Sequence, residues 1–180
     1  LSGRASEVSL RLKGDLKDFP FQSAKGGVFQ IAAKVADGKL QYAAGWPAIE
    51  GINAQLHFDG KRMEVTSSKA SVLGARVSNA HVVLPDLFAP DRVLAVTGQA
   101  EGPTAEFLKF IGQSPVNKLT GGFTENVGAT GSGRLQLKLD LPLARLAETK
   151  VAGSYQFIAN QVSIDADWPP VTQASGRLEF

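Results

Sequence analysis

Arg134-Leu135-Gln136-Leu137-Lys138-Leu139-Asp140-Leu141 decides the fold. Every second residue is leucine and every residue between is polar, which is the period of a strand with one dry face and one wet one. The same alternation runs through Glu7–Lys13 and Ile52–Phe58. It continues in Val151–Phe157, broken at Gly153, and more weakly in Leu94–Ala100. Asp37-Gly38, Asp59-Gly60 and Asn160-Gln161 supply residues that tolerate positive φ, and they read as hairpin turns. Strands with short turns argue for an antiparallel meander of about ten strands.

One segment departs from this period. Residues 103–112 read as a short helix, with Pro103 at the first helical position and Gly112 after the last turn. Its apolar face is Thr104, Phe107, Leu108 and Ile111. Residues 113–133, rich in Gly, Thr, Ser and Asn, read as a long loop. Inside it, Gly128–Gly133 has the composition of a phosphate-binding loop but leads into a strand rather than a helix N-terminus, so it reads as a flexible turn.

The chain also repeats itself. Residues 46–58, starting Trp46-Pro47 and ending Leu56-His57-Phe58, lie without a gap over residues 168–180, starting Trp168-Pro169 and ending Leu178-Glu179-Phe180. The frame extends upstream, giving copies at approximately 29–58 and 151–180, each read as strand, tight turn, strand, Trp-Pro corner, strand. Self-similarity at a fixed offset indicates a stacked-repeat architecture. The second copy stops where the first has strands still to come, so residues 1–180 are expected to be an internal segment of a longer repeat β-structure. The indole of each corner is expected to cap the end of an apolar layer.

Composition narrows the function. The chain is 43% hydrophobic and 20% charged, ordinary for a globular protein, and its net charge of +2 is too small and too scattered for nucleic-acid binding. Cysteine is absent, which removes disulfides, thiol nucleophiles and cysteine metal sites. His57 and His81 both lie on the polar phase of their strands, far from a second ligand, and read as surface residues. Asp15, Asp18, Asp37, Asp59, Asp86, Asp91, Asp165 and Asp167 mostly sit at turns, where the side chain bonds nearby backbone N–H groups. No nucleophile elbow or zinc-protease motif occurs. The residues therefore nominate no catalytic, cofactor or metal site, and the chain reads as a non-enzyme.

The apolar strand faces need a cover, since exposing them costs roughly 25 cal/mol per Å². One short helix is too little, so the sheet must close as a barrel or sandwich, or hold an apolar ligand in an open groove.

Several stretches carry a family resemblance. Gly14-Asp15-Leu16-Lys17-Asp18-Phe19-Pro20-Phe21, Leu40–Ile49, Phe107–Val116, Arg134–Leu143 and Val151–Tyr155 resemble the YhdP-type proteins of Gram-negative bacteria, large AsmA-like proteins related to TamB, in the bridge-like lipid transport class. The resemblance implies an inner-membrane anchor outside this segment and a long periplasmic β-structure reaching toward the outer membrane. It also implies movement of phospholipid between the two membranes and maintenance of the outer-membrane barrier. It transfers no catalytic motif.

The reading is thus an all-β, elongated, curved, mostly antiparallel and groove-like sheet with one short helix, forming a segment of a periplasmic lipid conduit. Leu56, Phe58, Leu135, Leu137, Leu139, Leu141, Tyr155 and Phe157 are the expected groove lining, sharing the concave or buried side. Gln136, Lys138, Asn53, Gln55 and His57 are expected to face water. Phospholipid acyl chains and neighbouring repeats are the expected partners, with membrane association through parts of the full-length protein outside this segment. The rival reading is a non-catalytic structural or interaction β-module. An unpaired edge at Phe180 is expected to make the isolated segment associate edge to edge. Sedimentation should then show self-association that falls when the following strands are added.

Overall fold

Alternating apolar and polar residues build one sheet, because each strand can satisfy its backbone only by pairing with its chain neighbour across a short connection. The computed structural model describes residues 2–19, 21, 26–119, 121–122, 124–164 and 167–180. The strands are β1 (Ser2–Gly14), β2 (Gly27–Leu40), β3 (Ile49–Asp59), β4 (Arg62–Val72), β5 (Ala75–Leu84), β6 (Val93–Pro103), β7 (Gly128–Pro142), β8 (Lys150–Ser163) and β9 (Val171–Glu179). They form a nine-stranded antiparallel meander in sequence order, with β1 and β9 at its two edges. Two helices interrupt it between β6 and β7: α1 (Thr104–Gly112) and the single turn α2 (Val116–Leu119). The all-β, curved, antiparallel sheet with one short helix is the architecture observed.

Neither a barrel nor a sandwich forms. The accessible surface is 11759 Å², against about 8,400 Å² for a compact monomer of this mass. Among the described residues the buried hydrophobic ones are Phe21, Ala54, Ala70, Ala75, Leu84 and Tyr155, half of them alanines. Among those residues one apolar layer exists and nothing of comparable size lies against it.

The curvature comes from β-bulges, and these correct the expected turns. Asp37-Gly38 does not turn the chain; both residues lie inside β2, where Asp37 has φ +51° and the register with β3 shifts. Asn160-Gln161 likewise lies inside β8, beside Ala159 at φ +49°. Positive φ serves a hairpin or a bulge equally well, so the dipeptide alone does not distinguish them. Asp59-Gly60 is a hairpin turn, with Asp59 paired to Arg62 and Gly60 at φ +55°.

The bulges follow the repeat. Lys34 pairs with Gln55, Val35 with Ala54, Gly38 with Ile52 and Leu40 with Ile49. At equivalent positions Gln156 pairs with Arg177, Phe157 with Gly176, Asn160 with Ala174 and Val162 with Val171. Asp37 and Gly51 in the first pair have positive φ, as do Ala159 and Gln173 in the second. Even the bulge amide is held alike: Asp37 N–H donates to Asn53 Oδ1 at 3.2 Å and Ala159 N–H to Ser175 Oγ at 3.1 Å. The two corners differ. Trp46 packs on Phe110 at 5.9 Å, whereas Trp168 is 73% exposed.

The stretch 113–133, expected as one loop, contains α2 and the start of β7. Gly128–Gly133 is strand rather than flexible turn, with a bulge at Gly131 (φ +95°) against the bulge of β8. Glycine is required there. A Cβ would lie 2.8 Å from the Ala159 carbonyl oxygen and 2.8 Å from Asn160 Cα. Gly131→Ala is expected to cost about 1–3 kcal/mol in urea unfolding. Gly112→Ala, in open space at the end of α1, should be neutral or stabilising by about 0.5 kcal/mol. Equal effects would remove the bulge from the account of curvature.

Candidate functional site

The cross-strand register assembles the apolar face row by row, since directly opposed residues point the same way. One row runs Ala33, Leu56, Val65, Val82, Val96, Leu139, Val151 across seven strands. Another runs Val77, Ala100, Leu135, Tyr155, Leu178. Ile31, Phe58, Met63 and Leu84 form a third. Leu137 faces Gly98 and Gly153, and Leu141 faces Leu94. The register therefore brings Leu56, Phe58, Leu135, Leu137, Leu139, Leu141, Tyr155 and Phe157 onto one continuous face. Tyr155 is buried and the other seven are half-buried, shielded by one another rather than by a second layer.

The opposite face is polar with equal regularity. Gln55, Thr66, His81, Thr97 and Lys138 make one row, and Arg76, Glu101, Arg134, Gln156 and Arg177 another. Gln136, Lys138, Gln55 and His57 are exposed on it, while Asn53 is half-buried at its bulge. His81 is not free, since its Nε2 lies 2.6 Å from Glu64 Oε1. That bond, then the Arg62 guanidinium, holds the Glu64 carboxyl below the usual carboxylate range. Asp86 is held low by Lys61 and by the Phe88 amide, the N–H-capping role expected of turn aspartates. Asp165 lies outside the described residues.

Aromatic clusters close the apolar face at both ends of the strands. At one end α1 lies against β7 and β6. Phe107 stacks edge-on against Tyr155 at 5.0 Å, and Tyr155 against Phe157 at 4.8 Å. The Tyr155 hydroxyl bonds Thr104 Oγ1 at 3.0 Å, and a Cβ at Gly133 would collide with that hydroxyl. Burial raises the Tyr155 pKa above the usual phenol value, with the Thr104 bond opposing it. Phe110 reaches Trp46, which stacks on Tyr42 at 5.8 Å. At the other end Phe19 meets Phe29 at 5.1 Å, Phe21 at 5.9 Å and Phe88 at 6.4 Å. Between these ends the face is open. At its margins Val8, Leu10 and Leu12 of β1 are 63%, 64% and 47% exposed, and Val151 is 52% exposed.

Two shallow hollows, about 420 and 470 Å³, lie on the polar face, among Gln99, Gln136, Ser154 and Arg177. Sequence reading expected Trp46 as an end cap but missed its partner Phe110, which lies in α1 outside the apolar face read for that helix, and missed Phe19 and Phe88, which sit in connections without a period. It also missed the Met63–Leu84 and Val65–Val82 pairs of the apolar face, although Met63-Glu64-Val65-Thr66 alternates.

Among the described residues no three His, Cys, Asp or Glu gather as metal ligands, and no helix is long and apolar enough to cross a membrane. No curated protein and no solved structure matches the chain. The model of the YhdP protein family matches residues 1–180, end to end. An open antiparallel sheet with one unbroken apolar face is accordingly the form this sequence takes, and the chain belongs to the YhdP protein family, a bacterial envelope family.

Proposed function

We propose that this sheet is a segment of a periplasmic lipid conduit that moves phospholipid between the inner and outer membranes and maintains the outer-membrane barrier. The observation that carries the reading is the open apolar face, continuous over seven strands in the Ala33–Val151 row. A protein that leaves such a face uncovered forgoes roughly 25 cal/mol for every Å² not removed from water. Acyl chains supply the missing layer, each CH₂ contributing about 0.8 kcal/mol when it leaves water. Head groups stay at the opening, because burying a charged phosphate costs far more. Valine, leucine and alanine in register hold an acyl chain without fixing its position, which suits movement along the face rather than tight binding. The segment acts without covalent chemistry in this reading.

A second reading, a structural or interaction β-module, draws support from the edges, since β1 is exposed along its length and β9 almost so. The two separate by experiment. A photoreactive side chain placed at Leu139 in the full-length protein is expected to capture phospholipid, and one at Lys138, on the opposite face, none. Leu139→Asp should abolish barrier function while costing about 1–3 kcal/mol of stability, and Lys138→Ala should be silent. A folded, accumulating Leu139→Asp protein that still supports the barrier would show that lipid does not travel over this face.

A further inference from the structure

The polar face carries an inference of its own, on the side turned away from the proposed lipid path. Its two hollows adjoin, sharing Gln99, Gln136, Ser154 and Arg177. Register explains why a trough opens there. Ser78, Gln99, Gln136 and Ser154 form one row across β5 to β8. On one side of it runs the Glu101–Arg134–Gln156–Arg177 row, and on the other Thr97–Lys138–Ala152. Ala152 and Ser154 are short, whereas Gln99, Gln136, Lys138 and Arg177 around them are long. Each hollow falls within the range of small-molecule sites, about 300–1,000 Å³.

Ser154 marks the trough as a site. It is 8% exposed and lines both hollows, and its hydroxyl bonds no protein group among the described residues. Buried polar groups are otherwise paired, so a hydroxyl left open toward a hollow is a place for a ligand atom. The side-chain amides of Gln136 and Gln156 are likewise without a protein partner among the described residues, while Gln99 Oε1 accepts from Asn79 Nδ2 at 3.4 Å. Amides and a hydroxyl both donate and accept, which matches a ligand rich in hydroxyl groups rather than a bare ion. Charge sets the rest. Glu101, the acid on the lining, is shared by Arg134 at 3.4 Å and Arg76 at 3.9 Å, and Arg177 pairs with Glu179 at 3.1 Å. Lys138 has no ion-pair partner among the described residues, so the trough keeps an excess of positive charge. We propose that this trough binds a short acidic glycan. Ser154 and the glutamines hold its hydroxyl groups, and Arg134, Arg177 and Lys138 meet its carboxylates through charge-assisted hydrogen bonds. No part of the apolar face takes part, so the inference stands apart from the lipid reading.

Calorimetric titration of the whole 180-residue chain tests this, with trigalacturonate as the probe, maltotriose as its neutral counterpart and inorganic phosphate as a bare anion. Trigalacturonate is expected to bind about tenfold more tightly than either. Ser154→Ala removes one hydroxyl and leaves the backbone ladder in place, and should weaken trigalacturonate binding about fivefold. Arg134→Gln should weaken it about tenfold. Arg11→Gln, the same loss of charge at an exposed position on β1, should leave it unchanged. Absence of trigalacturonate binding would overturn the proposal, as would equal affinity for maltotriose or phosphate. Equal losses in the Arg134 and Arg11 variants would assign the binding to diffuse charge, and full binding in Ser154→Ala would place it outside the trough. Either result overturns the proposal too.

Discussion

The structure depends on an apolar layer that the chain does not cover. In most globular folds two layers bury each other and the hydrophobic gain comes from their contact. Here the strands pair edge to edge and the single layer packs only laterally, leucine against valine along each row. Lateral packing half-buries Leu139 or Val82 but leaves their tips accessible. Backbone pairing therefore carries a larger share of the order than in a closed core, and each strand relies on its two neighbours. The edges, each with one neighbour, are the most exposed strands.

Two devices make such a sheet tolerable. Aromatic clusters at the strand ends, around Phe19 and around the Phe107–Tyr155 contact, stop the apolar face from running out into the connections. The opposite face keeps the sheet in water with exposed ion pairs such as Arg134–Glu101 and Arg177–Glu179. These pairs are solvent-screened and add little stability. They give the two faces opposite affinities, one for apolar chains and one for water.

The repeat supplies the shape. A bulge forces a local bend and added twist, and the bulges at Asp37, Gly51, Ala159 and Gln173 recur at matching places in the two copies. Since three of these four residues are not glycine, each holds an uncommon backbone conformation that the surrounding ladder must enforce. Asn53 and Ser175 contribute by accepting the displaced amide. The side chain differs between copies while its bond persists, so the geometry of the bulge recurs although the residue that holds it does not.

What the sequence by itself determined was local: strand phase, the division into apolar and polar faces, the short helix with its Thr104–Phe107–Ile111 face, and the two related hairpins. Those properties follow from side-chain period, which needs no distant partner. What only the tertiary structure decided was non-local. Asp37-Gly38 and Asn160-Gln161 could turn the chain or bulge it, and the choice fell to the continuing ladder on both sides. Gly128–Gly133 could be loop or strand, and became strand because Ala129 and Thr130 find partners in β8. Trp46 found Phe110 while Trp168, in the same motif, stays largely exposed, since α1 stands at the Trp46 corner. Above all, whether nine strands close on themselves is set by twist and register summed over the whole sheet, and no single strand encodes that sum.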